Sequence, residues 1–309
     1  MKTNRTFPWQ GVMPAVTTQF NDKGVLDLKA FSKNLIFQKE AGVHGFILGG
    51  TLGEASTLFP DEKITLLHTA KQIANHSIPV VVNIAEQSTQ QALDAVQQAE
   101  KNGADGLMLL PPMRYKATDE ETMAYFSEIA QSTALPIMIY NNPIDYKIEV
   151  TLDMFDKLQR HDNIQAVKES TRDTTNVTRM RNRFGDRFQI LCGVDTLAME
   201  SLVMGADGWV AGLVDAYPQE TVAIYAYCKA ERYADARRLF QWFLPLLELD
   251  ISPQLVQNIK LCEVATGLGT GFVRPPRQPL SGAEKERVQK IIGQSMATRP
   301  DVSDYKELL

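Results

Sequence analysis

The sequence predicts an α/β fold, a (β/α)8 barrel followed by a C-terminal helical appendage, and three observations carry that expectation. Eight short apolar runs are spaced along the first 212 residues. Helical patterns alternate with them. A glycine-linker-glycine punctuation recurs where a helix hands over to a strand. It appears as Gly42-Val43-His44-Gly45 before Phe46, as Gly103-Ala104-Asp105-Gly106 before Leu107, and as Gly205-Ala206-Asp207-Gly208 before Trp209. The first glycine of each suits a left-handed helix C-cap, and the second opens a tight turn into a buried parallel strand. A doubly wound sheet is the alternative fold.

The strand-like runs are 12–17, 46–48, 80–84, 107–110, 137–140, 164–168, 188–192 and 209–211. They are apolar without alternation, as strands covered on both faces must be. Helical patterns occupy 28–40, 61–75, 89–102, 120–132 and 151–160. Pro60-Asp61-Glu62-Lys63 and Thr118-Asp119-Glu120-Glu121 read as helix starts, with proline or a capping oxygen ahead of first-turn acids. The barrel therefore spans 1–230. Residues 231–309 form the helical region packed on it, with helices predicted over 230–249, 253–267 and 282–296, and no flexible linker separates the two.

Composition narrows the class of function. The chain has 309 residues, 44% hydrophobic and 22% charged, with 32 basic against 37 acidic side chains and a net charge of −5. Such a balance, without a basic block, speaks against nucleic acid as a partner. No apolar run approaches the ~20 residues of a membrane helix, and no signal-like segment follows Met1, so a cytoplasmic location is expected. The three cysteines, Cys192, Cys228 and Cys262, are too scattered for a disulfide framework and read as buried thiols. The four histidines offer no metal-binding spacing. Gly267-Leu268-Gly269-Thr270-Gly271 follows a helix and opens no βαβ unit, so it reads as a helix stop and loop. Arg179-Met180-Arg181-Asn182-Arg183 reads as a solvated helix face.

In a barrel enzyme the chemistry sits where the strands end. Lys168 ends the sixth apolar run. An ammonium there is poorly solvated, which lowers its pKa and frees the amine as a nucleophile for a carbonyl or imine carbon. The alternative is a lysine that reaches outward to pair with Glu169 or Asp195. Tyr140 ends the fifth run, facing the lysine, and can shuttle protons if a hydroxyl such as Thr51 relays them; it can equally pack on the barrel rim. The loop around Gly49, Gly50 and Gly53 lets backbone N–H groups approach a carboxylate. Gly193 either makes room beside the lysine or only makes a turn.

Gly50-Thr51-Leu52-Gly53-Glu54, Tyr140-Asn141-Asn142-Pro143 and Val167-Lys168-Glu169-Ser170, in that order, resemble the dihydrodipicolinate synthase/N-acetylneuraminate lyase family over nearly the whole chain. The resemblance implies a barrel, 2-oxo acid chemistry through a lysine Schiff base, no metal or organic cofactor, and a homotetramer. It makes Lys168 the Schiff-base lysine, Tyr140 the proton-transfer tyrosine and Thr51 its partner. It assigns Gly50, Leu52, Gly193, Tyr115 and Asn142 to binding of the small-molecule substrate.

Three departures bear on the branch. The synthase of this family has a second threonine where this chain has Leu52. It has a carboxylate-gripping arginine where this chain has Asp145. It has a tyrosine lent across the dimer where this chain has Arg114, with Tyr115 beside it. An acid in place of that arginine repels a carboxylate. The stretches Val12–Phe20, Phe243–Asp250, Val256–Glu263 and Arg274–Arg277 are more similar to the dehydratase-deaminase branch, above all to the deaminases acting on 1-pyrroline-4-hydroxy-2-carboxylate in hydroxyproline breakdown. The expected reaction is then dehydration and deamination of that cyclic imino acid to 2-oxoglutarate semialdehyde and ammonia. Alternatives are a 2-keto-3-deoxy sugar-acid dehydratase, a pyruvate aldolase or the synthase itself. A catalytically silent barrel with a binding role is the alternative from another class.

Overall fold

In the computed structural model, which describes residues 7–112 and 115–309, a parallel eight-stranded barrel surrounds the apolar core. The elements of the barrel follow in order β1 (Gly11–Pro14), α1 (Leu28–Glu40), β2 (Phe46–Leu48), α2 (Pro60–Ala74), β3 (Val80–Ile84), α3 (Thr89–Lys101), β4 (Gly106–Leu109), α4 (Asp119–Ser132) and β5 (Ile137–Asn141). They continue with α5 (Pro143–Tyr146), α6 (Leu152–Leu158), β6 (Ile164–Glu169), α7 (Thr175–Phe184), β7 (Gln189–Cys192), α8 (Ala198–Val203), β8 (Gly208–Ala211) and α9 (Pro218–Lys229). The C-terminal region adds α10 (Tyr233–Leu247), α11 (Leu255–Thr266) and α12 (Gly282–Ala297). Each strand pairs with its neighbours in parallel, and β1 also pairs with β8. A single parallel bridge, Ala15 to Ile47, completes the circle between β1 and β2.

Local chemistry accounts for the handovers. Gly42, Gly103 and Gly205 have φ of 91°, 84° and 99°, a region that costs a side-chain-bearing residue energy, and each sits between a helix end and the next strand. Thr118 and Glu121 form a reciprocal cap at the start of α4. Pro60 occupies the first position of α2, where its missing N–H costs nothing. All three cysteines are buried and free.

The first strand is shorter than the apolar run predicts and stops at Pro14. The backbone N–H of Thr17 leaves the ladder and bonds to the Asp215 carboxylate at 3.2 Å. The C-terminal helices do not simply cap one end. Lys260 on α11 reaches the loop after β2 and pairs with Glu54 at 2.6 Å, both side chains fully buried. Asn258 donates to Leu249 O (3.0 Å) and Ser252 Oγ (2.7 Å), which pins the turn between α10 and α11. That turn faces the barrel mouth. Among the described residues, no helix is long and apolar enough to cross a membrane.

Candidate active site

A cavity of about 430 Å³ opens at the C-terminal ends of the strands. Lys168 lies on its floor, 7% exposed. It is in register with Tyr140 on β5 and Leu191 on β7, and neighbours in register project to the same side of a parallel sheet. The Lys168 ammonium nitrogen stands 4.1 Å from the centre of the Tyr140 ring. Burial lowers the Lys168 pKa, against the opposing pull of Tyr146, Asp250 and Asp195. Desolvation favours the neutral amine. Lys168 does not turn outward to Glu169, whose carboxylate is engaged by Thr171 N at 2.8 Å and Asn176 Nδ2 at 2.7 Å.

Gly193 explains how the lysine fits. A Cβ on residue 193 would come within 2.6 Å of Lys168 Cγ and Cε and within 2.2 Å of Ser170 Oγ. Any side chain there displaces the amine.

The partner of the Thr51 hydroxyl differs from the expected one. The Thr51 hydroxyl meets not Tyr140 but Tyr146, 3.3 Å away. Tyr146 in turn packs edge-on against Tyr140, ring centres 5.4 Å apart. Burial pushes the Tyr140 hydroxyl up to about 12, and it pushes Tyr146 up as well. Asn142 Nδ2 donates to the Tyr140 hydroxyl (3.1 Å) and to Asp145 Oδ2 (2.7 Å). Asn142 also caps α5, the one-turn helix that carries Asp145 and Tyr146 back over the cavity. Sequence reasoning missed Tyr146. Its only signal was its place six residues after Tyr140, just past Pro143.

Two further carboxyls stand close. Asp195 is saturated: it accepts from Trp209 Nε1 (2.9 Å), Gly212 N (3.1 Å) and Leu213 N (2.8 Å). Asp250, from the pinned turn after α10, lines the cavity, and its Oδ1 is buried without a hydrogen-bond partner. Gly50, Thr51, Leu52 and Asn142 also line the cavity, and Arg172 adds a cation to the wall. Tyr115 is not among the lining residues; it is 56% exposed. Arg114 lies outside the described residues. Among the described residues, no three His, Cys, Asp or Glu side chains are grouped to hold a metal ion.

Comparison with known proteins gives the family, with synthases among the relatives. Residues 8–295 match the dihydrodipicolinate synthetase family. A 4-hydroxy-tetrahydrodipicolinate synthase of Exiguobacterium sibiricum is 32% identical over 268 residues, 87% of this chain and 92% of that protein. Another, from Geotalea daltonii, is 29% identical over 287 residues, 92% of this chain and 98% of that protein. The solved structure of the 4-hydroxy-tetrahydrodipicolinate synthase of Methylacidiphilum fumariolicum superposes with a TM-score of 0.89 at 28% identity, covering 97% of this chain and 99% of that one.

Proposed function

The chain belongs to the dihydrodipicolinate synthetase family, and from that premise we propose that it is a dehydratase-deaminase acting on 1-pyrroline-4-hydroxy-2-carboxylate through a Schiff base on Lys168. The observation that carries the proposal is the acidic wall beside the lysine. Asp145 lines the cavity and is held there by Asn142 at 2.7 Å. A substrate with a second carboxylate meets repulsion there. A cyclic imino acid with a single carboxylate and a polar hydroxyl does not.

The neutral Lys168 amine attacks C2 of the ring imine. A geminal diamine forms at C2, and the C2–N bond to the ring nitrogen breaks as that nitrogen takes a proton. This leaves a linear iminium on Lys168. The iminium is the electron sink that acidifies C3. Tyr140 takes the C3 proton as it passes its own along Tyr146 and Thr51. The C4 hydroxyl leaves as water. Tautomerisation moves the double bond to C5, and hydrolysis at C5 and C2 releases ammonia, 2-oxoglutarate semialdehyde and free Lys168. The ring carboxylate is held by the loop Gly50-Thr51-Leu52 and the substrate is flanked by Gly193 and Asn142.

A second reading, condensation of pyruvate with an aldehyde as in 4-hydroxy-tetrahydrodipicolinate synthase, is favoured by the names of the relatives and by Arg172 at the cavity wall. One assay separates the two. Ammonia release from 1-pyrroline-4-hydroxy-2-carboxylate by the wild type, absent in Lys168→Ala, supports the first. No release, with condensation of pyruvate and aspartate semialdehyde instead, overturns it in favour of the second.

A further inference from the structure

We propose that Asp250 is a catalytic residue of this site, the acid that protonates the departing C4 hydroxyl; this rests on the dehydration reading above. Asp250 comes from outside the barrel, from the turn between α10 and α11 that Asn258 clamps. Its carboxyl reaches over the end of β8 because residue 212 is glycine: a Cβ there would lie 2.7 Å from Asp250 Oδ1 and 3.0 Å from Leu52 Cδ1. The carboxyl thus approaches the same end of the cavity as the loop that holds the substrate carboxylate.

Its surroundings distinguish it from Asp195. Asp195 spends its lone pairs on Trp209 and the backbone of Gly212 and Leu213, a structural task. Asp250 Oδ1 has no partner at all, and a buried carboxyl oxygen left unpaired needs an explanation. Burial and the neighbouring Asp195 hold Asp250 well above the usual carboxylate range, while Lys168 pulls the other way. Burial also favours the neutral form of Lys168. Burial thus shifts Asp250 toward its protonated form and Lys168 toward its free amine, the form each step requires.

The balance closes. Tyr140 removes the C3 proton, and the C3–H electron pair forms the enamine. As the enamine electrons reform the iminium, the C4–O bond breaks with its pair on oxygen. That oxygen takes the proton from Asp250 and departs as water. The Asp250 carboxylate left behind faces the cationic iminium, which stabilises it. It regains a proton when water enters for hydrolysis of the two imines.

The test uses the whole protein, wild type against Asp250→Asn, on two substrates. One is 1-pyrroline-4-hydroxy-2-carboxylate, and the other carries chloride in place of the 4-hydroxyl. Chloride leaves without a proton. Asp250→Asn is expected to lower ammonia release from the hydroxy compound by about 10²-fold or more. It is expected to process the chloro compound within about threefold of wild type and to be trapped by borohydride on Lys168 as well as wild type is. Unchanged release from the hydroxy compound overturns the proposal, and so does an equal loss on both compounds. A wild type that releases no ammonia from either overturns the dehydratase-deaminase reading itself, and the acid role falls with it.

Discussion

The Tyr146 hydroxyl lies 3.3 Å from Thr51, and its ring packs edge-on against Tyr140. All three groups belong to one chain. The resemblance in sequence made Thr51 the partner of Tyr140 and gave Tyr115 to substrate binding; within this chain Tyr115 stands exposed and outside the cavity lining. On the proposed mechanism the middle step of the proton route falls on α5. Tyr146→Phe removes the hydroxyl and keeps the ring packing. Turnover should fall by about 10²-fold, the low end of what a positioned proton-transfer group contributes. Borohydride trapping of Lys168 should persist, since imine formation needs the amine more than the relay. Tyr115→Phe should leave kcat unchanged. The reverse pattern, with Tyr115→Phe crippling and Tyr146→Phe silent, would take Tyr146 out of the relay. Lys168, Tyr140 and Thr51 were legible in the sequence because each closes or follows a strand whose apolar run is itself legible. Tyr146 and Asp250 were not. Each reaches the cavity through a turn whose direction only the folded chain decides.

At the scale of elements, the loop after β2 and helix α11 are tied by charge. Glu54 accepts from Lys260 Nζ at 2.6 Å and from Arg274 N at 3.0 Å, and Lys260 also donates to Phe272 O at 2.6 Å. Glu54 itself has φ of 52°, a strained position for a glutamate that the ion pair holds in place. The tie matters to the site because the same loop presents Gly50, Thr51 and Leu52 to the cavity. Removing one partner leaves a buried charge unpaired. Lys260→Met should destabilise the fold by about 3–5 kcal/mol, read from the midpoint of urea unfolding. The double change Glu54→Gln with Lys260→Met should recover most of that loss, because it removes both charges together. A double variant no more stable than the single one would show that packing, rather than the unpaired charge, is at stake. Nothing local to residues 54 or 260 announces this pair; they are 206 positions apart. The helices and strands they join were legible, since caps, glycine stops and apolar runs act within a few residues.

Across the whole molecule, the barrel and the C-terminal helices share a second buried cluster, and it makes stability depend on pH. Glu263 on α11 takes hydrogen bonds from the Thr17 hydroxyl and from Gln19 Nε2, the latter at 2.8 Å. Asp215, after β8, takes Thr17 N at 3.2 Å and Gln38 Nε2 at 2.9 Å. Both carboxyls are fully buried. Burial raises Glu263 from 4.5 to about 7, against the hydrogen bonds of Thr17 and Gln19 and the charge of Lys260. Burial and the charge of Glu263 raise Asp215 as well. An acid whose pKa is higher in the folded chain than in the unfolded one binds its proton more tightly when folded. The stability it contributes is complete below the unfolded value and is lost as pH rises through the folded value. The window here runs from 4.5 to about 7. The joint between barrel and appendage should therefore loosen as the solution turns from acidic to neutral. The melting temperature of the wild type is expected to fall between about pH 5.5 and about pH 8. Glu263→Gln keeps the hydrogen-bonding shape without a proton to lose, so its melting temperature should fall less over the same range. Parallel curves for the two proteins would place the pH dependence elsewhere and leave Glu263 as an acceptor of hydrogen bonds alone.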